Sequence, residues 1–259
     1  MSSVARKRKR ASGVSSATNS SRKKPFLTRP LTKKKAKAKG LQKDEQETLG
    51  GRAAEKSGVQ WCANKDQAKW LTASFHSALG TALSPLELDP ITEDSVVQLT
   101  EDCDHSVDKL GTHMKPLFGP TWREVLCEDA SAGDPGSPVI LVLCSSAIRC
   151  VELLRGMKMF TSKCKPAKLF AKHIKLEEQI SLLEKNVNIA AGTPNRVRKL
   201  MDIGALGLGR LCLVVVDLHC DAKGLTVLSV PQVMRDFWEL YRAHLHQRVV
   251  AKQVQFCLY

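Results

Sequence analysis

The sequence predicts an α/β domain, an open and mostly parallel sheet with helices on both faces, behind a disordered basic tail. Three observations carry that expectation. From Pro138 onward, short continuous apolar runs alternate with stretches of helical periodicity. The net charge of +14 is concentrated at one end: residues 1–56 hold 17 Lys and Arg against 4 Asp and Glu, whereas residues 57–259 hold 23 against 22. An apolar fraction of 43% across 259 residues is enough for one core of ordinary domain size.

The tail comes first. "RKRKR" at 6–10, "SRKK" at 21–24 and "KKKAKAK" at 33–39 are spaced by Ser, Thr, Ala and Gly, with almost nothing to bury. Residues 1–60 are therefore expected to be a disordered tail and linker. Arg6, Lys7, Arg8, Lys9, Arg10, Lys33, Lys34, Lys35, Lys37 and Lys39 form blocks that bind nucleic acid without sequence preference and resemble nuclear or nucleolar addresses. No apolar leader follows Met1 and no apolar run is long enough to span a bilayer, so the expected location is inside the cell, away from membranes.

Residues 66–259 are expected to form one domain. Between Asp66 and Leu79, the residues Trp70, Leu71, Ser74, Phe75 and Ala78 share one side of a helix. Within 84–137, "HSVDKLGTHMKPLF" and "TWREVLCED" suit two further helices and "SAGDPGSP" a break, so 66–137 reads as mainly helical. The parallel core is 138–259. "VILVLC" (139–144) suits a strand buried on both faces, and Ala147, Cys150, Val151 and Leu154 follow at helical spacing. "AKLFA" (167–171) precedes the helix "LEEQISLLEK", and "VNIAA" precedes a helix that Thr193 is placed to cap and Pro194 to begin. "LCLVVVD" (211–217) precedes a helix from about Pro231 to His246, and "VQFCLY" suits a last short strand.

The nine cysteines are scattered without a CxxC pair, which suits reduced and mostly buried thiols. His219 with Cys220 is an isolated pair, too little for a metal site, so no metal and no cofactor are expected. "GALGLG" (204–209) precedes a strand, whereas a dinucleotide fingerprint must follow one; it suits a helix exit and loop. "CSSA" lacks the nucleophile elbow of a hydrolase.

The strand ends carry a recognisable order of motifs. "CSSAIR" is similar to motif Ia of the DEAD-box RNA helicases, "GTPNR" to their motif Ib, and "LVVVDLHC" sits where their acidic box follows a strand. The arrangement resembles the first RecA-like domain of such a helicase. "ILVLCSSAIRCVELLR", "KLFAKHIKLEEQISLLEK" and "GTPNRVRKL" resemble more closely the Cms family of nucleolar proteins associated with pre-ribosomal small-subunit complexes. The departures bear on activity. No G-x-x-x-x-G-K-[ST] loop occurs, and too few residues separate "GPTWRE" from "VILVLC" to hold a phosphate-loop strand and its helix. Asp217 stands at the acidic box, but Leu218 follows it and cannot position water. The resemblance thus implies a degenerate, non-catalytic module.

Motifs Ia and Ib of that family contact RNA phosphates. The resemblance therefore makes Ser145, Ser146 and Arg149, Lys172 and His173, and Thr193, Asn195 and Arg196 candidate phosphate contacts. Such contacts position a nucleic acid without reading its sequence. The expected function is an RNA-associated factor in small-subunit assembly, in the nucleus and nucleolus, working as a monomer with RNA and pre-ribosomal proteins inside a larger complex. Two alternatives stay open: a protein-binding scaffold whose folded domain touches no RNA, and an atypical ATP-dependent helicase.

Overall fold

A computed structural model describes residues 58–80, 83–84, 89–99, 104–128 and 134–259, all within the second of two units, Gln46–Tyr259. Of the tail and linker expected over 1–60, residues 1–57, including Arg6–Arg10 and Lys33–Lys39, lie outside the described residues, as do parts of 84–137; Val59 is buried in a 3-10 turn, Val59–Trp61.

Five strands form one sheet: β1 (Ile140–Leu143), β2 (Ala167–Leu169), β3 (Ile189–Gly192), β4 (Leu213–Val216) and β5 (Gln255–Leu258). Their order is β2-β3-β1-β4-β5 and every pairing is parallel. All four positions of β1, β3 and β4 are buried, as a sheet covered on both faces requires. The parallel α/β architecture expected from the alternating runs is the one observed.

Alternate strand residues feed two separate cores. On one face, α1 (Asn64–Leu79), α5 (Leu176–Leu183), α6 (Pro194–Asp202) and α7 (Pro231–Leu240) pack over Leu141, Leu143, Ala190, Val214, Val216 and Phe256. On the other, α2 (Leu110–Met114), α3 (Trp122–Leu126) and α4 (Ala147–Gly156) cover Ile140, Val142, Ala191, Val215 and Cys257. Helix α1 keeps the predicted side: Leu71 and Phe75 are buried, Trp70 and Ala78 half buried, and Ser74 Oγ accepts the Trp238 indole N–H at 3.1 Å. Phe75 in turn meets Trp238 and Tyr241 at ring separations of 5.3 and 5.0 Å.

Three local expectations need correction. "HSVDKLGTHMKPLF" is not one helix: a 3-10 turn at Val107–Lys109 leads into the five residues of α2, and a further turn, Lys115–Thr121, follows. Pro116 is the second residue of that turn and Gly119, at φ 57°, bends it, a backbone conformation that a residue with a Cβ resists. The helix from Pro231 does not run evenly to His246. It widens into a π-turn at Tyr241–Leu245 and ends as α8 (His246–Val250). The wide turn lets Tyr241 sink between Phe75, Trp238 and Phe256, with its hydroxyl 3.0 Å from His246 Nδ1. Third, "AKLFA" pairs only over Ala167–Leu169, and the chain then turns away through His173 at φ 62°.

Among the described residues before β1, Val96 and Val97 pair with the backbone of β5. Val96 makes a single parallel bridge to Phe256, and the Val97 N–H donates to the Phe256 carbonyl at 2.7 Å. Tyr259 ties the second helical layer down. Its hydroxyl donates to the Ser106 carbonyl at 2.6 Å and lies 3.0 Å from His113 Nδ1, while its ring stacks on His105 with centroids 4.8 Å apart. Burial, aided by the nearby His113, lowers the His105 pKa from 6.5 to about 4, and burial also lowers that of His113. The unfolded chain therefore takes up protons near pH 6.5 that the folded one refuses until about pH 4. The associated stability is full above 6.5 and is lost as pH falls towards 4. Asp104, the carboxylate facing this pair, titrates below that window. The urea midpoint should thus fall between pH 7 and pH 5. His105→Phe, which keeps the stack, should flatten the fall; an equal slope in both proteins would remove His105 as its source.

Candidate nucleic-acid edge at the strand ends

Sheet order decides which candidate residues are neighbours. Across the carboxyl edge, the end of β2 is followed by those of β3, β1 and β4, at roughly 4.8 Å per strand. Lys172 and His173 therefore stand beside Thr193–Arg196, which stand beside Ser145 and Ser146, with Asp217 next. Backbone bonds hold this edge together: Thr193 N–H to Leu169 O, Cys144 N–H to Gly192 O, and Asp217 N–H to Leu143 O, each 3.0–3.1 Å.

Each candidate side chain has a definite situation. Ser146 is the N-cap of α4, its Oγ accepting the Arg149 N–H at 3.3 Å, and it is exposed; Ser145 is half buried. Lys172 and His173 are exposed. Thr193 occupies the N-cap position of α6, but its hydroxyl makes no capping bond, contrary to the expectation; the helix starts on Pro194, whose fixed φ suits a first turn. Asn195 donates to Asp236 Oδ1 at 3.3 Å. Arg196 is half exposed and gives one N–H to Gln179 Oε1 at 2.9 Å.

Gln179 was not among the residues picked from the sequence, though it holds this edge. Buried to 2% exposure, it donates to the carbonyls of Lys168 and Phe170 at 2.7 and 3.0 Å, so it fastens α5 to β2 while its oxygen aims Arg196. The available signal was a polar residue four positions before Leu183 on the inward side of a helix.

Arg149 behaves differently. Its Nε and Nη2 donate to Asp217 Oδ2 and Oδ1 at 2.8 and 2.9 Å, a two-pronged pair, and Nη1 reaches Glu152 at 3.4 Å. The Arg149 side chain is 12% exposed and that of Asp217 1%. Burial works against the arginine's charge, but the hydrogen bonds and attraction of Asp217 and then Glu152 outweigh it, and its pKa is raised.

The pair sits at a telling place. The chain leaving β1 crosses β3 to reach β2, with α4 on one face; the chain leaving β4 goes the other way to β5, with α7 on the other face. Between β1 and β4 the winding reverses, and there an open α/β sheet ordinarily receives its ligand. Arg149 and Asp217 fill that crevice with each other. Beneath them, Cys144 is buried with its sulfur 3.0 Å from that of Cys150. The hydrogen bond to Cys150, and then burial, raise the Cys144 pKa, so the thiol stays protonated. Among the described residues, no group of three His, Cys, Asp or Glu is placed to hold a metal, and no helix is long and apolar enough to cross a membrane.

These features define a class: a parallel α/β module whose switch-point crevice is closed by an internal ion pair, and whose open strand ends present hydroxyls, amides and cations. Comparison with known proteins then shows the family. Residues 3–259 match the family described as "CMS1: U3-containing 90S pre-ribosomal complex subunit", and the chain belongs to it. It is similar to Protein CMSS1 of Homo sapiens, 34% identical over 158 residues, covering 60% of this chain and 54% of that one. It is likewise similar to Protein CMSS1 of Xenopus laevis, 37% identical over 133 residues (51% and 47%), and to Protein CMS1 of Chaetomium thermophilum, 32% identical over 173 residues (65% and 68%). The chain spans about half the length of the two animal relatives. The family description names a subunit of a pre-ribosomal complex, which supports a role in ribosome biogenesis.

Proposed function

We propose that the folded domain is a degenerate, non-catalytic RecA-like module that holds RNA backbone phosphates along the carboxyl ends of β2, β3 and β1, within small-subunit pre-ribosomal assembly in the nucleolus. The observation that carries the reading is the contiguity of those three strand ends. Exposed Lys172 and His173 lead to Arg196, aimed by Gln179, and then to the first turns of α6 and α4. Helix starts offer amides and a positive end to a phosphate, and two of them beside the exposed Lys172 and His173 suit a backbone rather than a lone ion. Ser145, Ser146, Thr193 and Asn195 line the same track. Arg149 does not, because Asp217 already satisfies it. The basic tail adds salt-sensitive affinity of the kind counterion release provides.

The test is ultraviolet crosslinking of the intact protein to RNA in nuclear extract, with the crosslinked peptides mapped. Crosslinks at 172–173 and 193–196 are expected, and Lys172→Ala with Arg196→Ala should remove them while tail crosslinks persist. Crosslinks confined to residues 1–56 would overturn the reading for the folded domain. They would favour the scaffold alternative, which the filled crevice between β1 and β4 also supports.

A further inference from the structure

At the amino ends of the strands, opposite the candidate phosphate edge, a second surface is built that the reading above does not use. Helix α3 ends there: Asn188, one residue before β3, donates from Nδ2 to the carbonyls of Leu126 and Glu128 at 3.2 and 2.8 Å. The turn Lys158–Phe160 after α4 packs alongside, with Phe160 edge-on to Trp122 at 5.7 Å and the Cys127 thiol 3.8 Å from the Met159 carbonyl. Trp122 is half exposed and carries two cations, Lys115 Nζ at 4.8 Å and Arg123 Cζ at 5.1 Å from its ring centre. Leu117, in the turn before α3, and Met159, next to Phe160, are 37% and 41% exposed. From Leu117 and Phe118, a cavity of about 520 Å³ runs under Val96 and Val97 to Cys212 and Leu213, at the start of β4, with Asn64, Gln98 and Gln255 as its polar wall.

The geometry points to a docking surface for an acidic amphipathic helix of a partner protein. An apolar centre with a cavity and a charged rim is the anatomy of a protein interface, and Trp, Met and Arg are the residues such centres favour. The rim sets the sign of the partner. Lys115, Arg123 and Lys158 stand there against the exposed Glu124, and the exposed Glu128 is engaged by Lys163 at 3.5 Å, so cations outnumber the open acids. An RNA strand would gain from these cations but not from Leu117, Met159 or the apolar side of the cavity formed by Val96, Val97, Phe118 and Leu213. A helix with apolar residues at three- and four-residue spacing would place one in the cavity and others on Trp122 and Met159, while Asp and Glu on its flanks meet the rim. The partner's acids would also draw Lys115 and Arg123 off the indole faces, opening the ring to contact.

The test places p-benzoylphenylalanine at position 159 of the full chain, irradiates intact pre-ribosomal particles and sequences the adducts. The expected adduct is a partner segment of net negative charge with apolar residues at helical spacing. Lys115→Glu with Arg123→Glu should cut its yield by about ten-fold. If that pair unfolds the chain, the exposed Lys158→Glu alone must lower the yield. Adducts to RNA, to a neutral or basic segment or to a second copy of this chain, an absence of adduct, or a yield indifferent to charge reversal would each overturn the proposal. The outcome is independent of the strand-end edge, whose RNA crosslinks at 172–173 and 193–196 are read separately.

Discussion

Arg149→Met is expected to destabilise the domain by about 3–5 kcal/mol, the cost of leaving one member of a buried ion pair behind. The reason lies in which charge is stranded. Asp217 is almost wholly buried and its two carboxylate oxygens are held by the arginine; without it, the carboxylate must stay charged in a closed crevice or take up a proton. The reverse change, Asp217→Leu, should cost less, because the Arg149 guanidinium retains some exposure and can turn towards Glu152 and water. The double change to Met and Leu should recover most of the loss, since apolar side chains of similar volume can replace a buried pair. Urea unfolding of the four proteins measures all of this in one cycle. If Arg149→Met cost under about 1 kcal/mol, the pair would be dispensable.

Gly192→Ala should cost about 2–3 kcal/mol, by overpacking rather than by backbone strain. Gly192 ends β3 with nothing unusual in its φ; the constraint is space. A Cβ there would meet the Leu169 carbonyl oxygen inside contact distance, and the Leu169 Cβ and Val197 Cγ2 at 2.7 Å each. Two of these three atoms belong to β2 and one to α6, so neither neighbour can yield alone. The strain would fall on the Thr193 N–H bond to Leu169 O, at 3.1 Å, which joins the β2 and β3 ends of the proposed phosphate track. RNA crosslinks at 193–196 should therefore weaken together with stability. A thermal midpoint within a degree or two of wild type would mean that β2 moves freely against β3, and that the track is not a rigid edge.

Gly192 was visible in the sequence as part of a sharp strand-to-helix turn, but nothing in "AAGTPNR" says that Leu169 of another strand crowds it. The same division runs through the candidate site. The positions of Ser145, Lys172, Thr193 and Asp217 at strand ends were legible, because a parallel sheet brings the end of every apolar run to one edge. Their present partners were not. Thr193 sits where a cap belongs, yet its hydroxyl makes no cap; Arg149 looks like a free cation one turn into a helix, yet it is consumed by Asp217; Gln179 looks like an ordinary helical glutamine, yet it aims Arg196.

What the sequence by itself determined is what short-range chemistry controls. Apolar runs of strand length, helical spacing after each, proline at two helix starts and the separation of a basic tail from a near-neutral domain all follow from neighbours along the chain. The order β2-β3-β1-β4-β5 was decided only by the folded structure, because it depends on which apolar faces the helices cover. That order brings Arg149 to Asp217 across 68 residues and closes the switch point. It also sets Phe160, from the turn after α4, edge-on to Trp122 of α3, and places Leu117 at a cavity at the foot of β4, contacts that no periodicity along the chain links. Contacts between distant segments are chosen by packing and by the cost of burying charge alone, and neither is written in the spacing of residues along a chain.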